Sequence, residues 1–229
     1  MQKKIAIKSP QGTEFWLLPQ KSIYLPNTAT WVIADLHFGK IQHFRKHGIP
    51  IPAEAAIPDY QNLIALTQSK PTKRIIFLGD IFHSHYNQEW EKIIQLFQEF
   101  HQQEIELILT TGNHDVLHNK HYQAAHLICC PQFIINDLIF LHEPPLNDEI
   151  TKNNNQDSEY LYIVGHIHPG IIIKGKAKQS LKFPCFAAVD QVIYMPAFGE
   201  TTGLHCPKWP SNAQIWAIAN HAIIEVKNN

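Results

Sequence analysis

Five short stretches carry side chains of the kind that bind divalent metals: Asp35-x-His37, Gly79-Asp80, Gly112-Asn113-His114-Asp115, His142 and Gly165-His166-x-His168. An Asp-x-His at a strand end can offer a carboxylate oxygen and an imidazole nitrogen to one ion. Gly-Asp adds a carboxylate with little crowding. A carboxylate can also bridge two ions, which suits Asp80, central in the order. Asn113 brings a neutral carbonyl oxygen. Asn-His-Asp at a tight turn sets a ligand, an imidazole and a second carboxylate side by side. Gly-His-x-His puts two imidazoles on the same side of an extended segment, because side chains two residues apart share a strand face. The mixed oxygen and nitrogen set suits Mn²⁺, Fe or Zn²⁺ rather than Ca²⁺, and no thiolate is needed. Two such ions about 3.5–4 Å apart can clamp phosphate oxygens around a hydroxide. Protonation of the leaving oxygen then falls to a nearby histidine. The expectation is a two-metal site that cleaves phosphate esters.

The elements that position these residues follow from hydrophobic patterning. Trp31-Val32-Ile33-Ala34 is an apolar run ending at Asp35, Ile75-Ile76-Phe77-Leu78 ends at Gly79-Asp80, and Leu107-Ile108-Leu109-Thr110 stops just before Gly112-Asn113. Continuous runs of this kind fit strands buried on both faces. Between them, Ala53 to Gln68 and Glu89 to His101 place apolar residues at helical spacing, so strand–helix–strand units with parallel pairing are expected. The second half turns to short strands. Phe133 to His142 reads as two strands around an Asn136-Asp137 turn. Leu161–Val164, Ile171–Lys174, Cys185–Val189, Val192–Met195 and Gln214–Ala219 follow. These predict a second sheet packed on the first in one domain spanning residues 1–229. Asn147 to Ser158 reads as a polar loop. Every metal-type motif then lies at the C-terminal end of a strand or in the loop after it, where α/β sheets bind ligands.

Composition bounds the alternatives. The 229 residues are 45% hydrophobic and 17% charged, enough for one sizeable core. The N-terminal stretch lacks the apolar run of a secretory signal and no segment is long enough to span a bilayer, so a cytoplasmic location is expected. Cys129, Cys130, Cys185 and Cys206 form no paired zinc motif; the adjacent Cys129 and Cys130 read as reduced, buried strand residues. Net charge is −1 and the pI about 6.9, so no global basic excess advertises nucleic acid. The local distribution is uneven. No acidic residue falls between Tyr160 and Val189, while Lys174, Lys176, Lys178 and Lys182 do, and Lys40, Arg45 and Lys46 follow the first motif. A solvated lysine face and a phosphate-binding surface fit this pattern equally. His83 and His85, just beyond Asp80, fit either ordinary loop positions or the lining of a substrate pocket.

The order of motifs resembles that of the calcineurin-like metallophosphoesterases: Asp-x-His, Gly-Asp, Gly-Asn-His-Asp/Glu, His, Gly-His-x-His, from about Trp31 to His168. The resemblance implies an α/β fold, a four-layer α-β-β-α sandwich of two mixed sheets flanked by helices. It implies Asp35, His37, Asp80 and His168 on one metal, and Asp80, Asn113, His142 and His166 on the other. His114 would be the non-ligand catalytic histidine, oriented by Asp115. Glu143 departs from the family pattern, where Gly often follows the lone histidine. Finer stretches narrow the likeness: Ala34-Asp35-Leu36-His37-Phe38-Gly39-Lys40, Gly48-Ile49-Pro50, Leu78 to Ser84, Gly165 to Pro169, Leu181 to Phe186 and Met195 to Gly199. From about residue 12 to 205 the chain is similar to bacterial ligase-associated DNA damage response endonucleases. That implies association with an ATP-dependent DNA ligase and a helicase-like protein.

Three readings of function follow. The first is a Mn²⁺-dependent phosphodiesterase cutting DNA, with Lys40, Arg45, His83, His85, Lys174 and Lys176 as substrate contacts. The second is a phosphoesterase for nucleotides or other small esters, which the near-neutral charge favours. The third is a scaffold without catalysis, which the intact ligand set argues against.

Overall fold

Successive side chains of a strand point to opposite faces, so a strand that is apolar throughout demands cover on both. That demand is met here by helices on one side and a second sheet on the other. The computed structural model describes residues 3–52, 54, 57–83, 86, 88–146, 159–175 and 179–227.

The first sheet runs in chain order: β1 (Ile5–Lys8), β2 (Glu14–Leu18), β3 (Ser22–Leu25), β4 (Thr30–Ala34), β5 (Arg74–Leu78), β6 (Glu106–Thr110) and β7 (Leu127–Cys130). β1 to β4 pair antiparallel; β4 to β7 pair parallel. Helices α1 (Lys40–Lys46) and α2 (Ile57–Ser69) join β4 to β5, α3 (Gln88–Gln102) joins β5 to β6, and α4 (Asn119–Ala124) joins β6 to β7. The second sheet comprises β8 (Phe133–Ile135), β9 (Leu138–Leu141), β10 (Leu161–Val164), β11 (Gly170–Lys174), β12 (Ser180–Val189), β13 (Val192–Tyr194), β14 (Gln214–Ala219) and β15 (Ala222–Val226). Its order is β15-β14-β12-β13-β10-β9-β8, with β11 pairing only to β12. β9, β10 and β13 are parallel neighbours, and the other pairs are antiparallel.

Alternation along β4 to β6 divides the core in two. Trp31, Ile33, Ile75, Phe77, Leu107 and Leu109 pack against Leu63, Trp90, Ile93, Phe97 and Tyr122 from α2, α3 and α4. Their neighbours Val32, Ala34, Ile76, Leu78 and Ile108 face the other way, onto Phe140, Ile163, Phe186, Ile193 and Trp216 of the second sheet. The two packed mixed sheets, with helices over the outer face of the first, agree with the α/β fold that the sequence implied. On the far face of the second sheet, Cys185, Ala187 and Ile215 are covered by Ile171 of β11 and by Trp209.

Several elements were not foreseen. β1 to β3, the short helices α1 and α4, and β15 carry too few residues to show a period. The helix expected from Ala53 is described from Ile57, since residues 53, 55 and 56 lie outside the described residues, as do the expected loop 147–158, His85 and Lys176. The reading of Cys129 and Cys130 as buried needs correction: Cys129 is exposed and Cys130 half-buried. Among the described residues β7 pairs only with β6 and so forms the sheet edge, which leaves its outward residues uncovered. Among the described residues no helix is long and apolar enough to cross a membrane.

Candidate metal centre

The C-terminal ends of β4, β5 and β6 in one sheet, and of β9 and β10 in the other, open onto a common edge. The chain turns sharply as it leaves each strand. Asp35, His37, Asp80, His166 and His168 all have positive φ, between 48° and 69°, a conformation few non-glycine residues adopt. Backbone strain of this kind persists only where the surroundings impose it, and it concentrates at functional sites. Here the surroundings are visible. His37 N–H donates to Asp80 O (2.9 Å), Phe38 N–H to Ile81 O (3.0 Å) and His83 N–H to Phe38 O (2.8 Å), so the two loops continue the pairing of their strands. The second sheet closes over them. Phe198 N–H donates to Ala34 O and Gly165 N–H to His142 O. His166 N–H donates to Asp35 Oδ2 (3.0 Å). Gly79 must be glycine twice over: its φ is +66°, and a Cβ there would collide with the His142 imidazole.

Two groups of donor atoms result. In the first, His37 Nε2 lies 3.3 Å from His168 Nε2. His168 Nε2 is 3.5 Å from Asp35 Oδ1, and His37 Nε2 is 3.7 Å from Asp80 Oδ2. In the second, His142 Nε2 lies 3.1 Å from Asn113 Oδ1, 3.1 Å from His166 Nδ1 and 3.6 Å from the same Asp80 Oδ2. One carboxylate oxygen thus stands between both groups. Imidazole nitrogens that face each other so closely repel unless a proton or a cation lies between them. Two ligands about 2.1 Å from one ion and at right angles sit about 3 Å apart, the spacing found in each group. The residues therefore fit two divalent ions. His142 Nδ1 lies 3.0 Å from Leu78 O, so that nitrogen carries the proton and Nε2 keeps its lone pair for the group.

Burial tunes the charge states. Asp35, His37, Asp80 and His142 are buried. Burial first, then the positive charge of Lys40 and the neighbouring histidines, holds His37 down to about 2, so its ring is neutral as a ligand requires. Burial, then Lys40, lowers His83 to about 4. Burial also lowers the Lys40 ammonium, against the pull of Asp35 and Asp80. Asp115 is raised to about 6 by burial, opposed by backbone hydrogen bonds from Gly112, Ile81 and Asp80 and assisted by the Asp80 charge.

The structure brings most of the expected site residues together. His114 is exposed at the rim, its ring centroid 5.5 Å from that of His37 and 4.9 Å from that of His83. His83 also reaches into the site, with Nδ1 3.2 Å from His37 Nδ1. Asp115 has partners the sequence could not reveal: Asp80 N–H and Gly112 N–H donate to Oδ2 (both 2.8 Å), and Ile81 N–H to Oδ1 (3.0 Å). It ties the loop after β6 to the loop after β5. His114 N–H completes the tie by donating to Asp80 Oδ1 (2.8 Å). Lys40 starts α1 beside the site, while Arg45 is exposed in the last turn of that helix. Lys174 is exposed on β11, away from the donor atoms in sequence but in the strand that follows His168. Two residues were underrated. His43 of α1 lies against His83, with ring centroids 5.2 Å apart, and Glu143 falls within ligand range of His142 and His166. A carboxylate directly after His142 was the signal for the latter.

The sequence profile of the calcineurin-like phosphoesterases matches residues 28–192, a span that holds every donor above. The chain belongs to this family. It is a metal-dependent phosphoesterase of the calcineurin-like type. Among solved structures, this phosphoesterase is similar to the Pseudomonas putida nuclease MPE: 22% identity, 97% of this chain and 100% of that one covered, TM-score 0.76. It also aligns with Yfce, a phosphoesterase from E. coli: 13% identity, 87% and 99% covered, TM-score 0.42. No curated protein matches it.

Proposed function

We propose that this phosphoesterase is a two-metal phosphodiesterase that cuts DNA, folded as one domain and working in repair alongside an ATP-dependent DNA ligase and a helicase in the cytoplasm. The observation that carries the reaction is Asp80 Oδ2, standing 3.7 Å from His37 Nε2 and 3.6 Å from His142 Nε2 and so shared by two donor groups. Asp35, His37, Asp80 and His168 would hold one ion, and Asp80, Asn113, His142 and His166 the other, with Mn²⁺ the expected occupant. Bound ions in such a site supply the nucleophile and neutralise phosphate charge. The chain supplies the rest. His114, exposed at the rim beside His37 and His83, gives a proton to the departing oxygen. Asp115 positions His114 through the loop they share and fixes Asp80 at the same time. Lys40, half-buried next to the carboxylates, adds positive charge where phosphate arrives; Arg45 and Lys174 extend that field outward, and the neutral His83 ring offers a hydrogen bond to the substrate. His85 and Lys176, outside the described residues, belong to the same proposed set of substrate contacts.

The substrate class is supported by the basic residues around the site and by the P. putida neighbour, a nuclease. Net charge near zero favours a second reading, hydrolysis of small phosphoesters by the same chemistry. A nicking assay on supercoiled and single-stranded DNA with Mn²⁺, run beside bis(p-nitrophenyl) phosphate and p-nitrophenyl phosphate, separates the two. Turnover of the small diester with every DNA form left intact would reject the DNA substrate. Asp80→Ala should abolish all turnover; retained activity would show that the site lies elsewhere.

A further inference from the structure

β11 leaves the metal centre directly: it begins at Gly170, two residues after His168. The segment after residue 204 returns beside it. His205 N–H donates to His168 O (3.0 Å) and Gly170 N–H to His205 O (2.8 Å), with Pro169 and His205 paired in parallel. From that junction Cys206 to Trp209 runs along β11, and the end of β15 closes the other side. Between them lies an open groove of about 450 Å³, lined at one end by Gly170, two residues along the chain from His168. Three exposed lysines line it, Lys174, Lys208 and Lys227, with no acidic residue among its described lining. Its floor is apolar. Ile173, 39% exposed, shares the face of β11 on which Ile171 packs with Trp209 and Val226, and Trp209 is braced against Tyr194 with ring centroids 5.6 Å apart. Apolar surface left open and rimmed by cations marks a binding site rather than a solvated face.

We infer that this groove is a track for single-stranded nucleic acid, which carries the strand to or from the metal centre. The inference rests on the phosphodiesterase reading above and adds the path of the polymer beyond the scissile bond. Phosphates meet Lys174, Lys208 and Lys227 along the rim, and bases lie on the apolar floor. That pairing of a cationic rail with an apolar platform holds single strands without sequence preference. Charge complementarity selects the occupant: an acidic polymer with exposed apolar faces satisfies both surfaces, and a peptide of mixed charge leaves the lysine rim unmatched. The volume is that of a small-ligand pocket, so bases enter one or two at a time and a duplex does not. A sequence free of acidic residues from Tyr160 to Val189 keeps the approach to the groove unopposed.

The test uses the full chain in EDTA, which separates binding from cleavage. Fluorescence anisotropy of a labelled oligothymidylate is followed across a salt series, for the wild type and for Lys174→Ala/Lys208→Ala/Lys227→Ala. All three lysines are exposed, and a thermal melt confirms that the variant is folded. Each lost phosphate contact should flatten the slope of log K against log salt by about 0.7, so the triple variant should lose about 2. An unchanged slope and affinity overturns the proposal, and so does tighter binding of a duplex of the same sequence by the wild type. Failure of the underlying reading shows differently: wild-type protein with Mn²⁺ then turns over neither bis(p-nitrophenyl) phosphate nor DNA, whatever the slope does.

Discussion

Asp115→Ala tests what holds the metal centre together. Family resemblance makes Asp115 the partner of His114, whereas its hydrogen bonds run to the backbone N–H groups of Asp80, Gly112 and Ile81. Asp80 and Ile81 are 2% and 0% exposed, so truncation leaves two donors with no access to water. Each buried donor stranded in this way costs about 1–3 kcal/mol, which gives about 4 kcal/mol for the pair. An opposing effect comes from the carboxyl group itself. Its pKa of about 6, raised by burial, means that ionising it costs the fold stability as pH rises from about 4 through 6, a cost fully present at pH 8. A rise of about two units is worth about 3 kcal/mol at most, and part of it is relieved when the group is removed. The net loss at pH 8 is then about 2 kcal/mol. In a chain of this size that lowers the melting temperature by about 4–8 °C. A melt in EDTA measures it, and a Mn²⁺ titration by calorimetry should show weakened binding, because Asp80 loses the amide contacts that fix its left-handed turn. A variant that melts and binds Mn²⁺ like the wild type, yet turns over slowly, would refute the brace and return Asp115 to a role on His114 alone.

Gly79→Ala places a methyl group where the His142 ring stands and forces a φ of +66° on alanine; a displaced ligand should cost about a hundredfold in turnover. Wild-type rates in that variant would mean that His142 is not part of the working site. His114→Ala should slow DNA cleavage by about 10²–10⁴-fold but hydrolysis of bis(p-nitrophenyl) phosphate far less, since p-nitrophenolate departs without a proton. Equal losses on both substrates would argue against His114 as the acid. Asp59 of α2 is buried, accepts a hydrogen bond from Glu200 N–H (2.9 Å), and is raised to about 6, chiefly by burial. A raised carboxylate pKa means the fold binds the proton more tightly than the unfolded chain, so its contribution to stability is lost as pH rises from about 4 through 6. Asp59→Asn keeps an acceptor for Glu200 and removes the titration. The variant should match the wild type near pH 4 and gain up to about 3 kcal/mol above pH 6, read by urea unfolding across pH. A difference that does not vary with pH would contradict it.

What the sequence made legible and what it hid divide along a physical line. The donor set proposed to hold metal could be read because it depends on side-chain chemistry and on apolar runs long enough to be strands: Asp35, Asp80 and His166 each follow one. The layered core was legible for the same reason, since β4 to β6 are apolar on both faces and must be covered twice. Hidden were the features set by backbone geometry. Nothing in an aspartate announces the positive φ at Asp35 or Asp80, and nothing in Asn-His-Asp tells which amides will occupy the second carboxylate. Asp115 was assigned to its sequence neighbour, and the fold assigned it to a loop 35 residues away. Edge position was equally invisible: Cys129 reads as core in the sequence and is exposed because β7 has a neighbour on one side only. Both kinds of feature meet at Asp80. Its Oδ2 faces the donor atoms of His37 and His142, and its Oδ1 and N–H are held by His114 and Asp115, the two residues to which family resemblance gives a catalytic role. Acid, brace and ligands are therefore coupled through one side chain, and substitutions at Asp80, His114 and Asp115 should be non-additive in turnover.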